Sequence, residues 1–326
     1  MDLIITALEL GLMSSLTVLA LFLSYSMLGV CDLSTDGCFT FGAAVGAIVA
    51  LAGHPYLAVA AAMGAGALSG LVTAVLQTKM GVDSLLSGIV VNTGLYSVNI
   101  AVMGNTSLLN MNKTETIFTK ARDFLSGTML AAQYKMFVIV IAAALAVLFL
   151  AFFLKTRAGL AIRATGDNPD MVRSSSIDPS RTTIIGLCIA NTFTGLSGCL
   201  LAQYQKSVNV TIGSGMLTIA LASLLIGGTF MGKTRSVTIR ALGAVLGAFI
   251  FRLVYTAALR LNMPAFMLKL VSSVIVVLAI SGPYLRRRFP LFMRMLSHSH
   301  RAYVQGDVNA DVDKASRMAE HRKRPG

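Results

Sequence analysis

Asp32, Asp36, Asn92, Asn191, Thr194 and Arg252 stand inside or beside long apolar runs of this chain. These are the side-chain types that line a polar path through hydrocarbon. A charge near the centre of a bilayer costs about 3 kcal/mol or more, so each such group must pair, meet water, or meet a solute. Asn191 and Thr194 lie three apart and share a helix face. They read either as the wall of a translocation pathway or as interhelical hydrogen bonds, as do Asn99 and Thr192. Arg252 stands two turns inside the end of its run. It can meet Asp32, Asp36 or the carboxylate of a solute, or it can snorkel to the interface. No paired catalytic groups at a common depth accompany these residues, so the expected chemistry is passage rather than bond-making.

Other motifs carry less. Gly227 to Thr234 reads GGTFMGKT, the letters of a phosphate-binding loop, but that loop needs a strand before it and a helix of a soluble α/β domain after it. Here apolar helical runs flank it, and it reads as a glycine-rich helix end followed by a basic turn. Cys31, Cys38, Cys188 and Cys199 lie in or beside apolar runs without metal-ligand spacing and read as small packing residues. His54 falls in a turn and His298, His300 and His321 in the tail. Neither a cofactor nor a metal is expected.

The longest polar segment between two membrane-length runs is Lys155 to Thr183, KTRAGLAIRATGDNPDMVRSSSIDPSRTT. Its pattern predicts a short helix over Arg157 to Thr165, ended by Gly166. Asp167 or Asn168 then caps a second helix from Pro169 to about Ser176, because a proline is preset for the first helical position. Asp178-Pro179 stops it, and Ser180 can start the next span. The expectation is a helix-turn-helix knob on the membrane face, presenting Met171 and Val172, with Arg163 and Arg173 as flanking charge.

This segment resembles the permease subunits of ATP-binding-cassette importers for branched-chain amino acids, ribose and nucleosides. Their coupling-helix pattern, T-R-x-G-x-x-x-R-A-x-G-x-N-P-x-x-x-x-x-x-G-I, is met by Thr156, Arg157, Gly159, Arg163, Ala164, Gly166, Asn168, Pro169 and Ile177. Ser176 departs from it, standing where the family carries Gly. A second run matches at Asp32, Leu33, Asp36, Gly37, Phe39, Gly42 and Ala43, with Asp32 in place of the family's Asn. The resemblance covers most of residues 25 to 283. It implies that Arg163, Gly166, Asp167, Asn168, Pro169, Met171, Val172 and Arg173 dock a cytoplasmic ATPase subunit. It also implies a dimer of permeases, a homodimer by expectation, and an extracytoplasmic substrate-binding protein.

The elements that must position these residues are membrane helices. The chain is 55% hydrophobic and 13% charged, with a mean hydropathy of +0.74, where a soluble domain carries roughly 25% charged residues. At about 20 residues per crossing, its 326 residues allow eight to ten spans and no second soluble domain. Nine are expected: Leu3 to Val30 as a retained first helix, Cys31 to Gly53 with a polar break at Asp32 to Gly37 that changes the count if it is re-entrant, Tyr56 to Gln77, Leu85 to Met103, Lys135 to Leu154, Thr183 to Tyr204, Gly213 to Met231, Val237 to Arg260 and Pro264 to Tyr284. Gly104 to Gln133 is the largest loop on the opposite side from the knob.

Alternating crossings gather 19 of the 27 lysines and arginines on one side, which the positive-inside rule makes cytoplasmic. The same asymmetry explains the net charge of +13 without nucleic acid. Glycine pairs at spacing four, Gly42 with Gly46, Gly66 with Gly70 and Gly243 with Gly247, mark helix contacts, internal ones first. Residues 1 to 285 therefore read as the transmembrane permease domain. Residues 286 to 326 read as a basic, largely disordered cytoplasmic tail attracted to anionic lipid. The reading is an all-α polytopic protein of a bacterial plasma membrane, a non-catalytic importer permease for an amino acid, branched-chain or aromatic. The alternatives are a sugar or nucleoside permease and, from another class, an ion-coupled secondary transporter.

Overall fold

The computed structural model describes residues 2–126, 133–231, 236–260, 270–278 and 281. Helix α1 (Asp2–Leu21) runs into a π-helical turn, Phe22–Met27, and α2 (Thr35–Leu51), α3 (Pro55–Thr78) and α4 (Ser84–Val102) follow. After strand β1 (Leu108–Asn110) come α5 (Ile117–Phe124), α6 (Tyr134–Phe153), α7 (Arg157–Asp167), α8 (Pro169–Ser174) and α9 (Pro179–Gln205). Strand β2 (Ser207–Asn209), α10 (Met216–Met231) and α11 (Val237–Arg260) complete the assigned elements, and residues 270–278 are also helical.

Among the described residues six helices are long and apolar enough to cross a membrane, and the chain is a polytopic, predominantly helical membrane protein. Eight of the nine expected spans have a helix in place. The ninth, Pro264 to Tyr284, is described at 270–278 and 281, which are helical, and its remainder and the tail from Arg286 lie outside the described residues. Two of the eight are short. α2 has 17 residues and α10 has 16, or about 25 Å at 1.5 Å per residue, less than a hydrocarbon core of roughly 30 Å. The all-α expectation also needs correction, because β1 and β2 pair antiparallel with Leu109 opposite Val208. Val208 and the neighbouring Met111 are fully buried, so the ribbon closes over the bundle end.

α9 is the axis of the bundle and packs against α1, α2 and α3. Its approach to α2 and α3 is made by glycines. A Cβ on Gly42 would collide with the Gly195 backbone, and one on Gly66 with the Asn191 carbonyl. Lipid supplies little hydrophobic drive between helices, so close backbone contact provides the packing. All three glycine pairs at spacing four face neighbouring helices of the same chain. The large apolar side chains go outward instead: α6 exposes Leu145, Leu148, Phe149 and Phe152.

α9 also measures depth. Asn191 is near its middle, and Asn191 Nδ2 donates to Asp32 Oδ2 at 2.6 Å. The connection before α2 is thus held halfway along the bundle, and α2 runs from there alongside the second half of α9, with Gly46 reaching Cys199. α10 begins at the same level, since Gly213 N donates to Thr40 Oγ1 at 3.2 Å. Both short helices start inside the protein.

Candidate functional site

The knob is built by local caps. Thr156 Oγ1 accepts from Gly159 N at 3.3 Å to open α7, and Asn168 Oδ1 accepts from Asp170 N and Met171 N, each at 3.1 Å, to open α8. Asp178 Oδ1 accepts from Ser180 N at 2.9 Å to open α9. That backbone hydrogen bond, with Arg181 nearby, holds the exposed Asp178 carboxyl below the usual carboxylate range. Thr165 Oγ1 and Thr182 Oγ1 share a hydrogen bond of 2.8 Å that ties α7 to the first turn of α9.

Three expectations change here. Gly166 does not end its helix, which continues to Asp167. The glycine is required by contact: a Cβ on it would collide with the carbonyl oxygen of Met27, at the end of the π-helical turn. Of Asp167 and Asn168, the asparagine is the cap. Of the two apolar residues, only Met171 is presented, 53% exposed, whereas Val172 is 1% exposed and anchors α8. Leu160 and Ile177 are also exposed on this segment. Arg163 is half-buried on α7, and Arg173 pairs with Asp170 at 3.6 Å on the surface.

The second polar constellation surrounds the start of α2. Asp32 receives Asn191 on one oxygen and, on the other, Ser34 N at 2.8 Å. Asp36 accepts from Gly215 N and Leu217 N, both at 2.8 Å. It therefore caps the N-terminus of α10 from another helix and places its negative charge at that helix's positive end. From α4, Asn99 Nδ2 donates to Gly37 O at 3.2 Å, and Asn92 faces the same glycine closely enough that a Cβ there would sit 2.7 Å from Asn92 Oδ1. Four of the six residues singled out in the sequence thus meet at one crossing of α2, α4, α9 and α10.

Thr194 and Arg252 stay apart from it. Thr194 Oγ1 turns back to Ala190 O at 3.4 Å within α9. Arg252 packs against α1 at Gly11 and lies over the Tyr255 ring at 5.5 Å, with its Nε unpartnered among the described residues. The Asp32 and Asp36 oxygens are occupied by the donors just named. One buried acid was missed: Glu9 is 6% exposed and accepts from Tyr204 Oη at 2.7 Å. An acid in an otherwise apolar run was the available signal.

Residues 3–280 match the family described as "Branched-chain amino acid transport system / permease component". A tyrosine transport system permease protein of Clostridioides difficile is 31% identical over 278 residues, 84% of this chain and 89% of its own length. The Escherichia coli ribose import permease RbsC is 27% identical over 73% of this chain and 72% of its own. A probable branched-chain amino acid permease, LivH, of Methanocaldococcus jannaschii is 26% identical over 72% and 69%. No solved structure matches the chain.

Proposed function

The chain belongs to the permease family of branched-chain amino acid transport systems, and on that premise we propose that it imports an amino acid, α7–α8 being the docking element for the ATPase. Permeases of this family work with an ATPase and a substrate-binding protein and are non-catalytic components. The observation that carries the docking assignment is the exposed Met171 on a helix pair whose shape is fixed by its own caps. An apolar side chain held rigidly on a polar surface suits a groove on a partner. The amino-acid assignment rests on the tyrosine permease similarity; a sugar is the second reading, favoured by the ribose permease.

The same reading places nine spans with the amino terminus outside, α7–α8 and the basic tail of residues 286 to 326 in the cytoplasm, and two copies of the chain side by side in a bacterial plasma membrane, in contact with lipid. Movement of the knob has a direct route inward. Gly166 sits on the backbone of Met27 and Leu28, and four residues later Asp32 is bonded to α9. A rigid displacement of α7 by the ATPase therefore pushes on the segment that leads to α2, and through Asp36 on α10, which is the kind of discontinuous-helix junction that gates transporters.

Met171→Glu tests docking. The spans should fold normally, while co-purification of the ATPase and binding-protein-stimulated ATP hydrolysis in reconstituted vesicles both fall at least tenfold. Normal values of both would remove the docking assignment. The buried Val172 is left intact, since changing it would disrupt the knob itself.

A further inference from the structure

Two clefts follow one another along α3 and α6. The first, of about 650 Å³, is lined by Tyr56, Phe137, Val138 and Ile141 together with α5 and the residues beside it, including Glu115, Lys120 and Asp123. The second, of about 370 Å³, takes up the next turns of the same helices, Val59 and Met63 on α3 and Ala142 to Phe149 on α6, with α9 behind them. α9 packs on α3, and α1 on α6 and α9, which leaves a furrow between α3 and α6. Phe149 closes its lower end, edge-on to Phe193 at 5.9 Å.

The two halves differ in chemistry. At the mouth Lys120 Nζ is 3.3 Å from Glu115 and lies 5.9 Å over the Tyr56 ring, and Asp123 adds a second carboxylate. The lower half is apolar, because its one hydroxyl, Thr192 Oγ1, donates to Cys188 O at 2.8 Å. From Phe137 to Phe149 the furrow follows α6 for about 18 Å at 1.5 Å per residue, close to half of a hydrocarbon core of roughly 30 Å. A polar mouth carrying both signs of charge above an apolar furrow one leaflet deep has the charge and length pattern of a zwitterionic phospholipid. We propose that this furrow is a binding site for an amine-headed glycerophospholipid. Its phosphate meets Lys120, its ammonium meets Glu115 and Asp123, and one acyl chain lies between α3 and α6 as far as Phe149.

The site is independent of the docking assignment and sits on other elements. The test uses the full chain purified in mild detergent, titrated with palmitoyl-oleoyl phosphatidylethanolamine or palmitoyl-oleoyl phosphatidylglycerol and read by native mass spectrometry. The wild type should hold one phosphatidylethanolamine about fivefold more strongly than the anionic lipid, because both present a phosphate to Lys120 but only the former presents an ammonium to Glu115 and Asp123, and one charge contact near a membrane surface is worth about 1 kcal/mol. Ala142→Phe, which fills the furrow from a partly buried position, should abolish that adduct, and Lys120→Gln should weaken it by a similar factor. Equal binding of the two lipids by the wild type overturns the proposal without reference to any variant. So does an adduct that survives Ala142→Phe. Quantitative disulfide dimers of Leu145→Cys would also overturn it, by showing that a second copy covers the furrow.

Discussion

The knob and the polar crossing hold their polar groups on opposite plans. In α7–α8 each cap is supplied from two or three residues away, as in Asn168 to Asp170 and Met171 or Thr156 to Gly159. At the crossing, Asn191 reaches Asp32 across 159 positions and Asp36 reaches Gly215 and Leu217 across 179 and 181. A locally capped unit keeps its shape wherever it is carried. A unit whose bonds join four separate helices exists only while those helices keep their relative positions. The first is suited to transmitting force and the second to registering displacement, and the Gly166 contact with Met27 lies between them.

The largest effect is expected from breaking the long-range plan. Asp36→Ala leaves the Gly215 and Leu217 N–H groups at the start of α10 without their carboxylate, and a buried donor stripped of its partner costs about 1–3 kcal/mol. The two donors here are partly buried, so each should fall toward the lower end of that range, and together they should destabilise the protein by roughly 2–4 kcal/mol. The expected result is a clear drop in the midpoint of thermal unfolding in detergent, with transport lost and ATPase docking at α7–α8 retained in whatever protein survives. Asp36→Asn, which keeps one acceptor oxygen, should fall between. An Asp36→Ala protein as stable as the wild type would show that α10 needs no cap from α2.

A smaller effect separates the two regions from each other. Gly166→Ala places a methyl group against the Met27 carbonyl, and overpacking of this kind costs typically 1–3 kcal/mol. The displacement falls on the junction and leaves Asn168, Met171 and the caps as they are. ATPase co-purification should remain near normal while transport per ATP hydrolysed falls severalfold. Loss of co-purification instead would mean that Gly166 shapes the docking face and that the route through Met27 is not the transmitting contact.

What the sequence made legible follows the same division. The Asn168-Pro169 cap and the break at Asp178-Pro179 were readable because each acts on its immediate neighbours, and the helices came out within a few residues of expectation, although Thr156 and Asp178 were not read as the caps of α7 and α9. The reason for Gly166 was not readable, since its partner is Met27, and a helix end was the local explanation at hand. The polar residues of the crossing were found by their cost in hydrocarbon. Their pairing was not, because nothing near Asp36 announces that it caps α10. The same blindness hid the β1–β2 ribbon and the Glu9–Tyr204 pair, both joined across the fold. For Arg252 the sequence left a carboxylate, a solute and the interface open, and the neighbours it has among the described residues, Tyr255 and Gly11, lie across a ring contact and a helix packing that charge does not announce.

The smallest expected effect is a gain, at the one position where the knob departs from its family pattern. α8 ends in a paired arrangement: Ser176 N donates to Arg173 O at 3.1 Å and Ile177 N to Val172 O at 3.2 Å. These are the two hydrogen bonds of a helix end that requires a left-handed residue after the cap. Ser176 occupies that position with φ +62°. A side chain there is strained against the following carbonyl by about 1 kcal/mol, whereas glycine adopts the conformation freely. Part of the benefit of Ser176→Gly is offset by the greater freedom glycine gives the unfolded segment, so the net gain should be about 0.5 kcal/mol. That is too little to read in whole-protein unfolding, but amide hydrogen exchange of residues 172–177 reports local opening directly. Exchange there should slow about twofold in Ser176→Gly and quicken in Ser176→Val, whose branched side chain tolerates the conformation worst. ATPase docking should be unchanged in the glycine variant, because Met171 and the Asn168 cap are untouched. Exchange that is unaltered or faster with glycine would show that the end of α8 is held by its contacts with α9, and that the knob is less self-contained than its caps suggest.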